Sequence, residues 1–129
     1  MSRRHFRYSL LPGKFAICRL PADAAIPLWV LRPGKFSSVS RTGEELSIVC
    51  AEEFVPPDTK ADRGWACFQL EGPIPFSETG VLTSFIQPLS DNAIPIFAVS
   101  TFDTDYVLIK DEFADMASAV LRAFGHELT

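Results

Sequence analysis

Histidine is scarce in this 129-residue chain: only His5 and His126 occur, both near the ends. A Cys/His catalytic pair would therefore require the termini to fold back. Cysteine is scarce too. Cys18, Cys50 and Cys67 are odd in number, and no spacing among them suits zinc. Each sits in an apolar, strand-like run (FAICRL, LSIVC, WACFQL), the pattern of buried free thiols in a reducing compartment. G-x-S-x-G, P-loop, H-E-x-x-H and G-x-G-x-x-G motifs are all missing. No catalytic residue, cofactor or metal is therefore assigned. Asp103, Asp105 and Glu78, without histidine, are too few to make a metal site. Long hydrophobic runs are lacking as well. The longest, AAIPLWVL at 24–31, contains Pro27 and is too short to cross a bilayer. The basic start MSRRHFRYSLLPGKF has no apolar segment of the kind a secretion signal needs. A cytoplasmic protein without membrane contact is expected.

Basic residues are sparse in the second half. Residues 1–60 carry nine Lys and Arg against six Asp and Glu, whereas residues 61–129 carry three against ten. An acidic half of this kind argues against nucleic-acid binding. It suits a cationic or ammonium-bearing ligand, or simply a solvated acidic surface. Hydrophobic residues make up 47% of the chain, with eleven Phe, enough for a packed core.

The candidate strands are 15–20, 36–41, 46–51, 65–72, 94–101 and 105–110. A helix is predicted over about 78–90, where Val81, Leu82, Phe85, Ile86 and Leu89 share one face, Ser77 is a good N-cap and Pro88 bends the last turn. A second helix is predicted over about 112–124, capped by Asp111 and stopped by Gly125. A short helical turn fits near 24–31, and VPPDTKADRG (55–64) reads as a linker. An internal repeat aligns KFSSVSRTGEELSIVCAE (35–52) with PIFAVSTFDTDYVLIKDE (95–112) at an offset of 60, and FAICRL pairs with WACFQL at an offset of 50. A strand–helix–strand–hairpin–strand order occurring twice implies an α+β fold of two ferredoxin-like units, 1–60 and 61–129, each an antiparallel sheet with helices on one face.

Two segments could carry chemistry. In GPIPFSETGVL (72–82), a helix start with free N–H groups attracts an anion, and Gly80 permits close approach; the plainer reading is an ordinary helix start. In STFDTD (100–105), the repeat sets a Gly-bearing turn (42–45) against 102–105, so a Phe and two Asp occupy a tight turn. Aspartates in turns often bond their own backbone, which accounts most simply for Asp103. Phe102 should pack against core, a subunit or a ligand. If the two segments meet, the helix start would take an α-carboxylate, and Glu78 or Asp105 an ammonium.

The segment FSETGVLTSFIQPLSDNAIPIFAVSTFDTDYVLIKDE resembles the core of the Castor-type ACT domains, a group that includes small bacterial ACT proteins and cytosolic arginine sensors. The first half resembles the preceding ACT-like unit more loosely, and together the resemblance covers most of residues 12–126. It implies tandem ACT-like subdomains with a regulatory, ligand-sensing role and no catalysis. By position it nominates Glu78, Thr79 and Gly80 from the helix start, and Thr101, Phe102 and Asp105 from the hairpin. The sensors carry two tandem pairs and this chain one, so a homodimer is expected to supply the opposing wall of an interface site. An amino acid or similar small molecule is the expected ligand; Thr79 and Asp103, at variable motif places, leave its identity open. A ligand-free interaction module of the same fold is the alternative.

Overall fold

The computed structural model describes residues 5–129. It divides into two compact units, Pro12–Trp65 and Ala66–Thr129 together with the described part of Met1–Leu11. The strand β1 (Arg7–Leu10) thus groups with the C-terminal residues and not with the rest of 1–60. The remaining elements are β2 (Phe15–Leu20), a 3₁₀ turn at Leu28–Leu31, β3 (Ser38–Arg41), β4 (Leu46–Ala51), a 3₁₀ turn at Glu52–Phe54, β5 (Ala61–Leu70), α1 (Val81–Asp91), β6 (Phe97–Ser100), β7 (Asp105–Lys110), α2 (Asp111–Ala123) and β8 (Glu127–Leu128). The division between units falls within β5.

In the unit Pro12–Trp65 the strand order is β3, β4, β2 and the first half of β5, with every neighbour antiparallel. This is the ferredoxin-like order, with two 3₁₀ turns where helices would lie. Alternate residues Ala16, Cys18, Leu46, Ile48 and Cys50 point to one face and form its apolar cluster with Val30 and Val55. The expected linker ends early, because Ala61 and Asp62 already pair with β2. The three cysteines are buried free thiols, as their settings implied. Cys18 and Cys50 lie diagonally on β2 and β4 and hydrogen-bond. That bond lowers the Cys18 pKa, and the same bond together with burial raises that of Cys50. Burial pushes Cys67 up to about 12.

In the other unit the order is β6, β7, the second half of β5, β1 and β8. β1 runs antiparallel to β5 and takes the fourth place of the ferredoxin-like sheet, while β8 adds parallel to it outside. The sequence reading missed both strands, which are short, four and two residues. Tyr8, Phe68, Leu70, Val107 and Ile109 from the sheet pack with Phe85 and Leu89 of α1, and with Ala117 and Leu121 of α2.

Helix α2 begins at Asp111 itself, after Lys110, with no side-chain cap; the expected Asp111 cap does not form. Its end is as expected. Gly125 takes φ +89°, its N–H donates to the Arg122 carbonyl, and the His126 N–H donates to the Leu121 carbonyl, a Schellman closure. Helix α1 closes the same way through Ala93, a non-glycine at φ 58°, with the Ile94 N–H bonding the Leu89 carbonyl.

Pro88 lies inside α1 and has no N–H for the carbonyl four residues back, that of Ser84. His126 supplies the missing donor. Its Nε2 lies 3.3 Å from the Ser84 carbonyl, while Nδ1 accepts the Phe6 N–H at 3.0 Å. These partners assign the neutral Nε2–H tautomer. The ring is 3% exposed, stacks on Phe6 and tilts against Phe85. The termini do fold back, with the His5 and His126 rings 6.4 Å apart, yet both His126 nitrogens are engaged by backbone and not by a thiol.

Burial lowers the His126 pKa below 6.5, and the nearby His5 adds to this against the Ser84 bond. The unfolded chain therefore binds the proton more tightly. Stability from this group is full above about pH 6.5 and is lost as pH falls towards the depressed folded value. Denaturant melts between about pH 7 and about pH 5 are expected to show this loss, and His126→Gln to flatten it. In a Pro88→Ala background, which restores an N–H to Ser84, the His126 substitution is expected to cost less.

Candidate functional site

The loop 72–80 leaves β5 through a cis Gly72–Pro73 bond and turns at 75–78, where the Glu78 N–H donates to the Pro75 carbonyl at 3.0 Å. The helix then starts at Val81, three residues later than expected. Ser77 makes no cap; Gly80 occupies the N-cap position at φ 73°. A left-handed residue reverses the chain sharply here, and glycine does this without a Cβ clash. Glu78 thus precedes the helix and is not part of its first turn. Gly80 has no side chain to cap α1, so the first N–H groups of the helix have no acceptor from its N-cap residue.

The second segment is the β6–β7 turn. Thr101 donates its N–H to the Thr104 carbonyl at 2.8 Å, and Thr101 Oγ1 accepts the Thr104 N–H at 3.4 Å. The β3–β4 turn is built alike, with the Thr42 N–H on the Glu45 carbonyl at 2.9 Å and Thr42 Oγ1 accepting from Glu44 and Glu45. In the two hairpins Arg41 pairs Leu46 and Ser100 pairs Asp105. The structural offset is therefore 59 and not 60, and the counterpart of Gly43 is Phe102, not Asp103. The turn is held by Thr101 where the sequence reading had favoured Asp103.

The two segments meet. The Ile74 N–H donates to the Asp103 carbonyl at 2.6 Å. Thr104, 6% exposed, donates its hydroxyl to the Leu70 carbonyl at 2.8 Å. A Cβ at Gly72 would stand 2.9 Å from the Asp103 oxygen and 3.0 Å from Thr104 Cβ, so glycine there permits the clasp. Phe102 packs edge-on against Phe76, ring centroids 5.0 Å apart, with the two 78% and 74% exposed. Asp105 accepts a short hydrogen bond from the Ser100 hydroxyl.

Between loop, hairpin and helix start lies a cavity of about 280 Å³. Of the residues nominated from the sequence, Glu78, Gly80, Thr101, Phe102 and Asp105 line it, and Thr79 does not. Val81, Leu82 and Thr83 of α1, Ile74, Phe76 and Ser100 also contribute. Phe76 was missed, although an exposed Phe three residues after a Gly-Pro loop start carries the same signal as Phe102. On the other side of the loop, Ile74, Pro75, Glu78 and Val81 also line a cavity of about 310 Å³ with His5 and Phe6. Among the described residues no group of three or more His, Cys, Asp and Glu is arranged to hold a metal.

Comparison with known proteins fits this geometry. An ACT-domain family model matches residues 60–123, and a second, described as an N-terminal domain, matches residues 13–58. Among solved structures, protein Atu0741 from Agobacterium tumefaciens is 43% identical over 98% of this chain and 93% of its own, with a TM-score of 0.91. The chain belongs to the family of Atu0741. Its C-terminal half carries an ACT domain, and the fold is the ACT, ferredoxin-like one. Protein VC0802 of Vibrio cholerae, of unknown function, shares that fold at 18% identity, covering 93% of this chain and 90% of its own, with a TM-score of 0.74. The regulatory subunit of aspartate kinase from Thermus thermophilus, in ligand-free form, shares it at 13% identity, covering 87% and 93%, with a TM-score of 0.61. No curated protein sequence matches the chain.

The clasp is directly testable. Thr104→Val removes the hydroxyl from a buried carbonyl and is expected to cost about 1–3 kcal/mol in denaturant unfolding. Thr104→Ser, keeping the donor, is expected to recover most of it.

Proposed function

We propose that this protein is a non-catalytic, regulatory ACT protein of the Castor type, which binds an amino acid in the cavity between loop 72–80 and the 101–104 turn. The observation that carries the reading is that two carboxylates, Glu78 and Asp105, share one cavity with the uncapped start of α1. A zwitterion needs both kinds of group. The N–H groups at Val81–Thr83 would receive the α-carboxylate. Glu78 and Asp105 would receive ammonium or a cationic side chain, and Phe76 and Phe102 would flank its aliphatic stem. Thr79 shapes the turn into Gly80 without facing the ligand. The cavity is open, and a second copy of the chain would close it. Strand β6 lies at the end of its sheet order and can extend onto that copy. Ligand binding would then stabilise the closed dimer, the way one state of a regulator is selected. No helix among the described residues is long and apolar enough to cross a membrane, in keeping with a cytoplasmic role.

Isothermal titration against each proteinogenic amino acid is expected to find at least one binder, whose affinity falls at least tenfold in Asp105→Ala. Silence from all of them, with dimeric protein, would sink the reading.

One observation favours a second reading. Phe76 and Phe102 form an aromatic pair that faces solvent, the kind of feature that anchors a protein partner. A ligand-free interaction module would show no thermal shift with any amino acid. Dimerisation separates from both: on a sizing column at micromolar concentration the protein is expected to elute at about twice its 14.3 kDa chain mass.

A further inference from the structure

We propose that the unit Pro12–Trp65 carries an anion site, between β2 and the first half of β5, that takes a small phosphate-bearing molecule. A concavity of about 430 Å³ is lined there by Ile17, Arg19, Lys60, Ala61, Asp62 and Arg63. On the face of Ile17 the cations Arg19 and Lys60 stand with one carboxylate, Asp62, in a chain whose net charge is −4 and pI about 5.1.

The local fold explains the hollow. Phe15 pairs with Trp65, but two residues on Ile17 pairs with Asp62, so β5 bulges between them. Gly64 at φ +80° makes the bulge, and its N–H donates to Glu52 Oε1 at 2.7 Å. That bond holds an acidic side chain on the backbone of the bulge. Bulges re-aim side chains and are common beside binding sites. On β2, Ala16 and Cys18 belong to the apolar cluster, so Ile17 and Arg19 face the other way. The register sets Ser47 across from Arg19, and Ser40 across from Ser47, on that same face. The Arg19 N–H bonds the Lys60 carbonyl at 3.1 Å, so two cationic residues are neighbours in the ladder. Like charges placed so cost stability, and an anion offsets that cost. Edge protection does not account for Arg19, because β2 has a strand on each side. The Arg19 guanidinium bonds the Glu44 carbonyl at 3.0 Å and Arg63 the Pro56 carbonyl at 2.9 Å. The Arg19 head is therefore anchored, and a planar guanidinium so fixed has further N–H groups to turn to phosphate oxygens. The hollow has the size of a small-molecule site.

The test is a titration with inorganic phosphate, followed by the amide signals of Arg19, Ala61 and Gly64, at ionic strength matched with chloride. Saturable shifts are expected. The combined Arg19→Gln and Lys60→Gln variant should weaken phosphate binding at least tenfold. Asp62→Asn, which removes the competing carboxylate, should tighten it, and Asp105→Ala, in the other unit, should leave it unchanged. Shifts that never saturate, that chloride reproduces, or that survive loss of both cations would overturn the proposal, as would weaker binding in Asp62→Asn. Sedimentation with phosphatidylserine vesicles, without a saturable phosphate response, would overturn it in favour of a lipid surface.

Discussion

The unit that carries the candidate site depends on one imidazole. His126 holds the Phe6 N–H with one nitrogen and the Ser84 carbonyl with the other. That carbonyl is unsatisfied within α1 only because Pro88 stands one turn on. Three distant pieces of chain, the start of β1, the middle of α1 and the end of α2, are tied at a single buried ring. The Schellman closure at Gly125 places that ring, since the His126 N–H is one of its two hydrogen bonds. Helix stop, helix repair and strand docking thus meet at one residue, and the neutral state of the imidazole is a condition for the strand docking, since only an unprotonated Nδ1 can accept the Phe6 N–H.

From that frame the site follows by short steps. α1 is fixed from behind, so its uncapped start points where the loop 72–80 and the 101–104 turn can reach it. The two are joined by backbone and hydroxyl hydrogen bonds more than by side-chain packing, which leaves Phe76 and Phe102 free of the core. Loop 72–80 is a thin partition. Ile74, Pro75, Glu78 and Val81 touch a cavity on each side of it, so any change in Glu78 is felt at both.

Much of this was legible in the residues, and the failures have causes. Phe113, Met116, Ala117, Val120, Leu121 and Phe124 recur at i, i+3, i+4, and with the stop at Gly125 they place α2 within a residue or two, because amphipathic period and left-handed closure are local properties. The start of α1 was misplaced because Ser77-Glu78 imitates a cap, and only the conformation of Gly80 reveals the extra turn. The repeat was read one residue out of register. Identities at Val39/Val99 and Ser40/Ser100 outweighed the turn threonines Thr42 and Thr101, which mark the equivalence in space. Five of the six nominated site residues line one cavity, yet their meeting rests on the Ile74 and Thr104 bonds, which couple positions some thirty residues apart and leave no local trace. Strand β8 is only two residues long, and β1, although Phe6, Tyr8 and Leu10 alternate with polar residues, lies in a basic start that was read for its charge.

The placement of β1 also governs the order in which the polypeptide can mature. Its fourth-place strand is made before the rest of its sheet, and its partners in β5 come only after the whole of Pro12–Trp65 has been synthesised. Until then Arg7–Leu10 is an orphan segment, waiting while the intervening unit closes. A fragment that starts at Ala66 lacks that strand and leaves one side of β5 open. The two pieces are natural halves for complementation in trans, with the N-terminal peptide acting as the missing stave.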